Sequence, residues 1–509
     1  MFHGRKTPEE GRLVGYALII DIIEKKIKEN IPLPDQLAIV TDKHQRYNTR
    51  EWQVFTVRHK PNDDLISHLI FALKYEPIDL YILKSLFEYT EKDIVLNMIK
   101  NEPTSQYTRR VWFLYEWLMR TKLNVPDLKT GTYVEIVNPK LQYPGSSVNS
   151  TRHRIKNNLP GTQNFCPMIR KTEKLEGYIT KDLSGTIEKG LSKLDKELVR
   201  RTAAFLLLKD SKASFAIEGE YPPNLRVRNW GKVIGQAGKK QLTIEEIERL
   251  QDIVIGTKKL KHMGIRKNEG FIGEHDRETF DPIPDHISAK AQDLPTLMKG
   301  LIETNNLLQK AKYDPVLAAA TIAFGFVFIH PLSDGNGRIH RYMIHHTLAK
   351  LGYTKREMIF PVSAAILNRI SDYQDVLEAY TYPRLDLIEW RPTFSHNLEI
   401  LNETIDLYRY YDLTQQAEFL YECVEDTIEK IIPEELDYLK KYDRVTQLIN
   451  LHVTLPDTKV DLLIKFLNQN NGKLSKDKRQ KDFDELIDEE IASIEEGYSE
   501  IFINNINID

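Results

Sequence analysis

The feature that most constrains the fold is a polar loop between two helical segments. The apolar run from Val316 to Ile329 fits a buried helix, and Pro331 prevents that helix from continuing comfortably. A second helical pattern begins near Gly337 and ends before Gly352, which suits a helix C′ position. The intervening residues read HPLSDGNG. We therefore predict two consecutive helices joined by a tight polar loop.

The composition of this loop is typical of an anion-binding site. Gly335 and Gly337 permit a close backbone approach, and the next helix directs its first amide groups and its positive dipole end at the same place. Arg338 and Arg341 lie one turn apart on one helix face, and paired guanidinium groups suit a polyphosphate. The pattern predicts a phosphate-binding loop rather than an incidentally polar connection.

Two more residues of the loop supply the remaining chemistry. Asp334 is suited to bind Mg²⁺, which takes one or two carboxylates and completes its coordination with phosphate oxygens and water. His330 is suited to act as a general base on a hydroxyl group. With the two arginines, the segment contains every role that nucleotidyl transfer needs.

The joint pattern H-P-x-x-D-G-N-G-R-x-x-R resembles the signature of the Fic family, with Leu332 where the family commonly has Phe. Fic enzymes typically transfer AMP from ATP to a Ser, Thr or Tyr hydroxyl of a target protein. The resemblance implies that His330 deprotonates that hydroxyl and that Asp334 binds Mg²⁺. It also implies the nucleotide ligands, namely Asn336 with the backbone of Gly335 and Gly337 for the α-phosphate, and Arg338 and Arg341 for the β- and γ-phosphates.

A second motif lies more than a hundred residues upstream. The segment SFAIEG, from Ser214 to Gly219, resembles the inhibitory motif of Fic proteins, [ST]-x-x-x-E-[GN], on a helix that packs across the nucleotide site. The resemblance implies that Glu218 pairs with Arg341 and takes the place of the γ-phosphate. It leaves open whether Glu218 also supports removal of AMP.

Two weaker features belong to the same resemblance. The stretch GIRKNEGFIGEHD resembles the flap hairpin that clamps a target by strand addition. An aromatic pair downstream matches the part of the family that lines the adenine pocket. The flap candidates are Ile265, Arg266, Gly270, Phe271, Ile272 and Gly273, and the adenine candidates are Tyr373 and Tyr380.

The chain as a whole suggests three regions. We predict an α+β N-terminal region over residues 1–185, a Fic-type helical core over 186–395 and a helical C-terminal region over 396–509, so that the fold is mainly α. Within the core, the inhibitory helix is expected at about 190–220 and the flap at about 264–275. Thr243 and Glu246 have capping-box spacing, which predicts a helix start.

Composition limits the classes of function. The 71 basic and 74 acidic residues give a net charge of −3, so no overall attraction to nucleic acid or to anionic membranes is expected. Two distant cysteines and an N-terminus without an apolar stretch suggest a cytoplasmic protein with no membrane segment. The resemblance implies ATP and Mg²⁺ as ligands, a hydroxyl-bearing protein target (this chain itself among the candidates) and a homodimer.

Two alternatives stay open from the sequence. The same scaffold could transfer another nucleotide or phosphocholine, because the motif recognises phosphates more than a base. In a different class of function, the core would sense a nucleotide while the C-terminal helices, around the turn at Asn471 and Gly472, bind DNA or a partner. Retained function in a His330→Ala variant would favour the second alternative.

Overall fold

Helices form most of the structure, and the strands are short. The computed structural model describes residues 1–27, 30–90, 92–256, 263–353 and 360–503. The predicted fold class, mainly α with small β elements, is confirmed. Within these ranges, no helix combines the length and the hydropathy that a bilayer crossing needs.

In its described residues, the N-terminal region combines a four-stranded sheet with five helices. Strand Leu37–Thr41 pairs parallel with Trp52–Thr56 and antiparallel with Arg12–Val14, and Tyr47–Asn48 forms an edge. A three-stranded sheet follows, in which Ile155–Asn157 lies between Val134–Glu135 and Val148–Ser150. The helices are Tyr16–Ile27, Leu65–Tyr75, Leu80–Tyr89, Lys92–Asn101 and Gln106–Met119, with a 3₁₀ turn at Val57–His59.

The central core is helical and surrounds the apolar helix predicted from the sequence. Helix Pro315–Ile329 is capped by the side chain of Asp314, which accepts from the amides of Val316 and Leu317. The other helices of this core before the loop are Glu173–Thr180, Leu183–Leu191, Lys196–Ala216, Asn224–Ile234, Ile244–Ile255 and Leu294–Ala311, with a 3₁₀ turn at Ala291–Asp293. Those after it are Asn336–Lys350, Val362–Asn368, Ile370–Leu385, Ile405–Arg409 and Thr414–Asp426.

Two β-hairpins lie beside this core. The first pairs Phe271–His275 with Pro282–Ile287 and has a bulge at Ile272 and Gly273. The second pairs Trp390–Pro392 with Leu398–Ile400. They touch at their tips, where His275 Nε2 lies 2.8 Å from the carbonyl oxygen of His396.

The C-terminal helices build a smaller core of their own. Apolar side chains between Leu398 and Ile432 still pack into the central core, whereas the separate C-terminal core begins at Val445. The backbone passes through a π-helical turn, Thr427–Ile431, into helix Ile432–His452. The remaining elements are Asp457–Gln469, Lys476–Asp482, Asp488–Tyr498 and a π-helical turn, Ser499–Ile503.

Candidate active site

His330 occupies the end of the apolar helix in a left-handed conformation. Its φ and ψ are 53° and 59°, and its amide donates to the carbonyl oxygen of Phe326 at 3.0 Å. The ring is set below the surface, where burial lowers the pKa of His330 to about 4, and the positive charge of Arg266 acts in the same direction. At neutral pH the imidazole is therefore uncharged and able to accept a proton.

Arg266 fixes the backbone of the loop that carries His330. Its Nε donates to the carbonyl oxygen of His330 at 2.9 Å, its own amide donates to that of Pro331 at 2.9 Å, and its Nη2 donates to Ala289. The preceding residue, Ile265, forms a bridge with Leu332. The prediction that Arg266 contacts a target is corrected, because this side chain is only 7% exposed and is bonded to the loop after the apolar helix. For Ile265, which is half-buried, the target contact stays a prediction.

Asn336 also supports the backbone of the loop. Its Oδ1 accepts from the amide of Leu332 at 3.0 Å, and its Nδ2 donates to the carbonyl oxygen of the same residue at 2.7 Å. Both ends of the side-chain amide are thus engaged with the backbone of Leu332, which gives Asn336 a structural role in the loop. The contact of Asn336 and the backbone amides with an α-phosphate stays a prediction.

The backbone at the start of helix Asn336–Lys350 has the geometry expected of an anion cradle. Gly335 precedes this helix with a φ of 91°, a conformation that favours glycine. The helix therefore begins at Asn336, one residue before the predicted start, and its first amides point toward the loop. Asp334 lies at the rim, with its side chain 45% exposed and its Oδ1 2.9 Å from Nη2 of Arg338.

The two motif arginines are buried and held by carboxylates. Arg341 is 1% exposed and donates from Nη2 to Glu218 at 2.7 Å and to the carbonyl oxygen of Ser214 at 2.6 Å. Arg338 is 2% exposed and donates to Glu220 at 2.6 Å as well as to Asp334. Its buried Nε, like the buried Nη1 of Arg341, has no acceptor among the described residues.

Glu218 lies directly over the start of the motif helix. A Cβ atom added to Gly337 would come within 2.2 Å of Glu218 Oε1, so this close approach requires glycine. Burial alone would raise the pKa of Glu218, but the charge and hydrogen bond of Arg341, together with the charge of Arg338, lower it below its ordinary value. The carboxylate is therefore ionised at neutral pH, and it occupies a position suited to an anionic ligand. Gly219, the next residue, has a φ of 69°, a conformation that favours glycine.

The two candidate tyrosines have different environments. Tyr373 stacks against His340 at 6.0 Å between ring centroids. It also interacts electrostatically with Arg341 and Glu218. Tyr380 packs in the core on Phe328 at 3.7 Å, and its hydroxyl donates to the carbonyl oxygen of Leu407. The adenine-pocket prediction therefore fails for Tyr380, because an internal carbonyl and an internal ring satisfy it. For Tyr373 it stays a prediction.

The remaining flap candidates are placed on or beside the first hairpin. Phe271, Ile272 and Gly273 lie on its first strand, Ile272 is 44% exposed, and Gly270 accepts from the amide of Ser288 at 2.9 Å. The hairpin therefore runs over residues 271–287, beyond the predicted end at about 275. The binding of a target by this hairpin stays a prediction.

Several residues of the site were not identified from the sequence. Glu220 pairs with Arg338, although it follows the quoted motif by one residue and could have been considered as its partner. His286, on the second strand of the hairpin, lies with its ring 6.2 Å from that of His330. Gln251 donates to the backbone carbonyl of Asp334 at 2.9 Å. No local spacing links His286 or Gln251 to the loop, because both reach it only through packing.

Comparison with known proteins agrees with the motif. The Fic/DOC family profile matches residues 241–348. Over these residues the chain is similar to the Fic/DOC family. The match begins before helix Ile244–Ile255 and ends within the motif helix, so it covers the flap hairpin and the loop at His330. The segment with Ser214, Glu218 and Gly219 lies outside it.

Relatives of the Fic domain include proteins named protein adenylyltransferase Fic. The one from Drosophila willistoni is 26% identical over 197 residues, which cover 38% of this chain and 35% of the relative. The one from Drosophila mojavensis is 27% identical over 191 residues, or 37% of this chain and 34% of the relative. The chain thus matches about a third of the length of these curated relatives.

Two solved structures are also similar. A Fic family protein from Desulfovibrio desulfuricans G20 aligns with 56% of this chain and 82% of its own, at 18% identity and a TM-score of 0.39. A Fic domain containing signaling protein from Bacteroides thetaiotaomicron VPI-5482 aligns with 52% of this chain and 97% of its own, at 19% identity and a TM-score of 0.35.

Proposed function

We propose that this protein transfers AMP from ATP to a hydroxyl side chain of a protein target. One observation carries the proposal: an uncharged imidazole, His330, stands beside a helix start whose two buried arginines are neutralised by carboxylates. Carboxylates paired with arginines in that position mark a site with affinity for anions. The names of the Drosophila relatives support AMP as the transferred group.

The chain's own residues can be assigned to the steps of this reaction. His330 accepts the proton of the target hydroxyl as its oxygen forms a bond to the α-phosphorus of ATP. The bond between that phosphorus and the oxygen bridging to the β-phosphate breaks, and pyrophosphate leaves. The amides at Gly335 and Gly337 and the guanidinium groups of Arg338 and Arg341 stabilise the charge on the phosphates.

The donor set fits a Mg²⁺ ion delivered with the nucleotide. Asp334 offers one half-exposed carboxylate at the rim, and such ions complete their coordination with phosphate oxygens and water. The bound ion would neutralise phosphate charge. Arg338 engages Oδ1 of Asp334, so the metal–nucleotide complex would bind beside this ion pair.

We further propose that Glu218 restrains the enzyme. A carboxylate paired with Arg341 at the start of the motif helix competes for the place of a phosphate. Slowing productive binding about 100-fold requires only about 2.8 kcal/mol, and one hydrogen-bonded charge pair of this kind can supply it. The target would add as a strand to the flap hairpin, whose first strand exposes Ile272.

The test is self-labelling with ATP carrying a labelled α-phosphate, in the presence of Mg²⁺. We expect weak labelling of the parent protein, strong labelling of Glu218→Gly and none of His330→Ala in the Glu218→Gly background. Glu197→Gln is the control, because Glu197 lies on the helix that leads to Glu218 but is exposed and pairs with Arg200. Labelling from UTP and not from ATP would reject AMP transfer in favour of another nucleotide.

A further inference from the structure

A second carboxylate, Glu220, engages the other motif arginine. Glu220 Oε1 accepts from Nη1 of Arg338 at 2.6 Å, while Glu218 accepts from Arg341 at 2.7 Å. Each of the two arginines that the resemblance assigns to the β- and γ-phosphates is thus paired with its own glutamate. The two glutamates come from one short segment of the chain.

The end of helix Lys196–Ala216 explains how one segment reaches both arginines. The amides of Glu218 and Glu220 both donate to the carbonyl oxygen of Phe215, at 3.0 and 3.1 Å, and Gly219 between them adopts a positive φ. This turn directs the two carboxylates toward the same helix. Arg338 and Arg341 are one turn apart on that helix, so the spacing of the glutamates matches the spacing of the arginines.

Glu220 is held in place from two sides. Its second oxygen, Oε2, lies 2.9 Å from Nη1 of Arg226, which in turn donates from Nε to the carbonyl oxygen of Val254 at 2.9 Å. The ring of Phe215 packs against both guanidinium groups, at 4.9 Å for Arg226 and 5.7 Å for Arg338. The carboxylate therefore bridges a buried arginine and one anchored to the neighbouring helix, so it is fixed before any ligand binds.

We propose that Glu220 is a second inhibitory residue, which competes with the nucleotide for Arg338 independently of Glu218. The inference rests on the proposed function, because it concerns access to the same nucleotide site. Its consequence is specific: removal of Glu218 frees Arg341 but leaves Arg338 paired. Full affinity for a triphosphate then requires the loss of both carboxylates.

A different result is expected if Glu220 has a purely structural role and only connects Arg226 with Arg338. In that case substitution would lower stability and affect all ligands of the site alike. Inhibition at Arg338 predicts a gain of affinity that is confined to nucleotides with β- and γ-phosphates. AMP, which lacks these groups, provides the comparison.

The experiment measures dissociation constants for a non-hydrolysable ATP analogue with Mg²⁺ and for AMP, by calorimetry on the full chain. The variants are Glu220→Gln, Glu218→Gly and the double substitution, with Glu197→Gln as the control. We expect Glu220→Gln to tighten binding of the ATP analogue roughly tenfold in the Glu218→Gly background. We expect the same substitution to change the affinity for AMP by less than about twofold.

The possible outcomes separate this inference from the proposed function. Two results would overturn the inhibitory role of Glu220 while the proposed function stands. In the first, Glu218→Gly binds the ATP analogue and Glu220→Gln does not increase that affinity further. In the second, Glu220→Gln changes the affinities for the ATP analogue and for AMP equally. If no variant binds any nucleotide, the double substitution included, the proposed function fails and the inference with it. Thermal melting of each variant tests whether a loss of nucleotide binding is caused by unfolding of the protein.

Discussion

At the scale of single residues, the loop that carries His330 depends on one side chain that touches its backbone twice. Asn336 accepts from and donates to Leu332, with both bonds buried. We expect Asn336→Ala to lower the free energy of unfolding by about 2–3 kcal/mol, because two buried backbone groups lose their partner. Denaturant unfolding measures the loss. Asn336→Asp keeps the acceptor but sets a carboxylate oxygen against the carbonyl oxygen of Leu332, so it should also lower stability, and an unchanged unfolding midpoint in either variant would contradict this role.

The pKa of His330 makes a separate prediction at this scale. Burial lowers this pKa to about 4 from an ordinary value of 6.5, so the imidazole stays neutral, and competent as a base, well below pH 6.5. The AMP-transfer rate of Glu218→Gly should therefore keep most of its value at about pH 5.5 and fall only toward the lowered pKa. Initial rates across the acid range test it. A half-maximal rate near pH 6.5 would show that burial does not set the titration of His330.

At the scale of elements, Arg266 connects the flap hairpin to the motif loop. Its donors reach carbonyl oxygens of His330 and Ala289 on two separate segments, and burial lowers the pKa of this guanidinium to about 10, so it stays charged at neutral pH. The hairpin and the catalytic loop are therefore expected to move together.

Replacement of Arg266 should uncouple these two elements. We expect Arg266→Met to increase amide hydrogen exchange in strand Pro282–Ile287 and in the loop after His330, with a stability loss of about 2–4 kcal/mol, because several buried carbonyl groups lose a charged donor. Arg277→Met, at the exposed turn of the same hairpin, is the matched control. Faster exchange in the hairpin alone would contradict the coupling.

At the scale of the whole molecule, the N-terminal and central cores meet along residues 166–170 and 409–413. Backbone bonds join Met168 to Tyr411 at 2.9 Å and Leu413 to Met168 at 2.8 Å. Arg170 adds charge to the contact, since it donates to Asp412 at 2.6 Å and also pairs with Asp35 of the N-terminal region. Burial, and then the neighbouring Asp412, raise the pKa of Asp35, so the two acids depend on the arginine between them.

Loss of this arginine should weaken the contact between the two cores. We expect Arg170→Met to lower stability by about 2 kcal/mol, less than for a fully buried pair because its carboxylate partners are partly exposed. Calorimetric melting should show a lower or a divided transition. The exposed Arg58→Met, in the same N-terminal region, serves as the control. A melting curve identical to that of the parent would show that the backbone bonds alone hold the cores together.

Much of the fold and the site follows from local patterns. The apolar helix, its end at Ile329 and the helix after Gly335 were predictable because their signals lie within one turn of the residues concerned. Thr243 caps its helix by accepting from the amide of Glu246 at 3.2 Å, as its spacing predicts. The carboxylate of Glu246 instead pairs with Arg249 and Lys240, so only half of the predicted box forms.

The sequence by itself determined the chemistry of the loop, because glycines, a carboxylate and two arginines at fixed positions around one helix start must share one place. Only the tertiary structure decided which groups meet them. Glu220 is 118 positions from Arg338, and Tyr380 is buried by residues on other helices. Such contacts depend on how helices pack against each other, and the spacing of residues within one segment does not predict that packing.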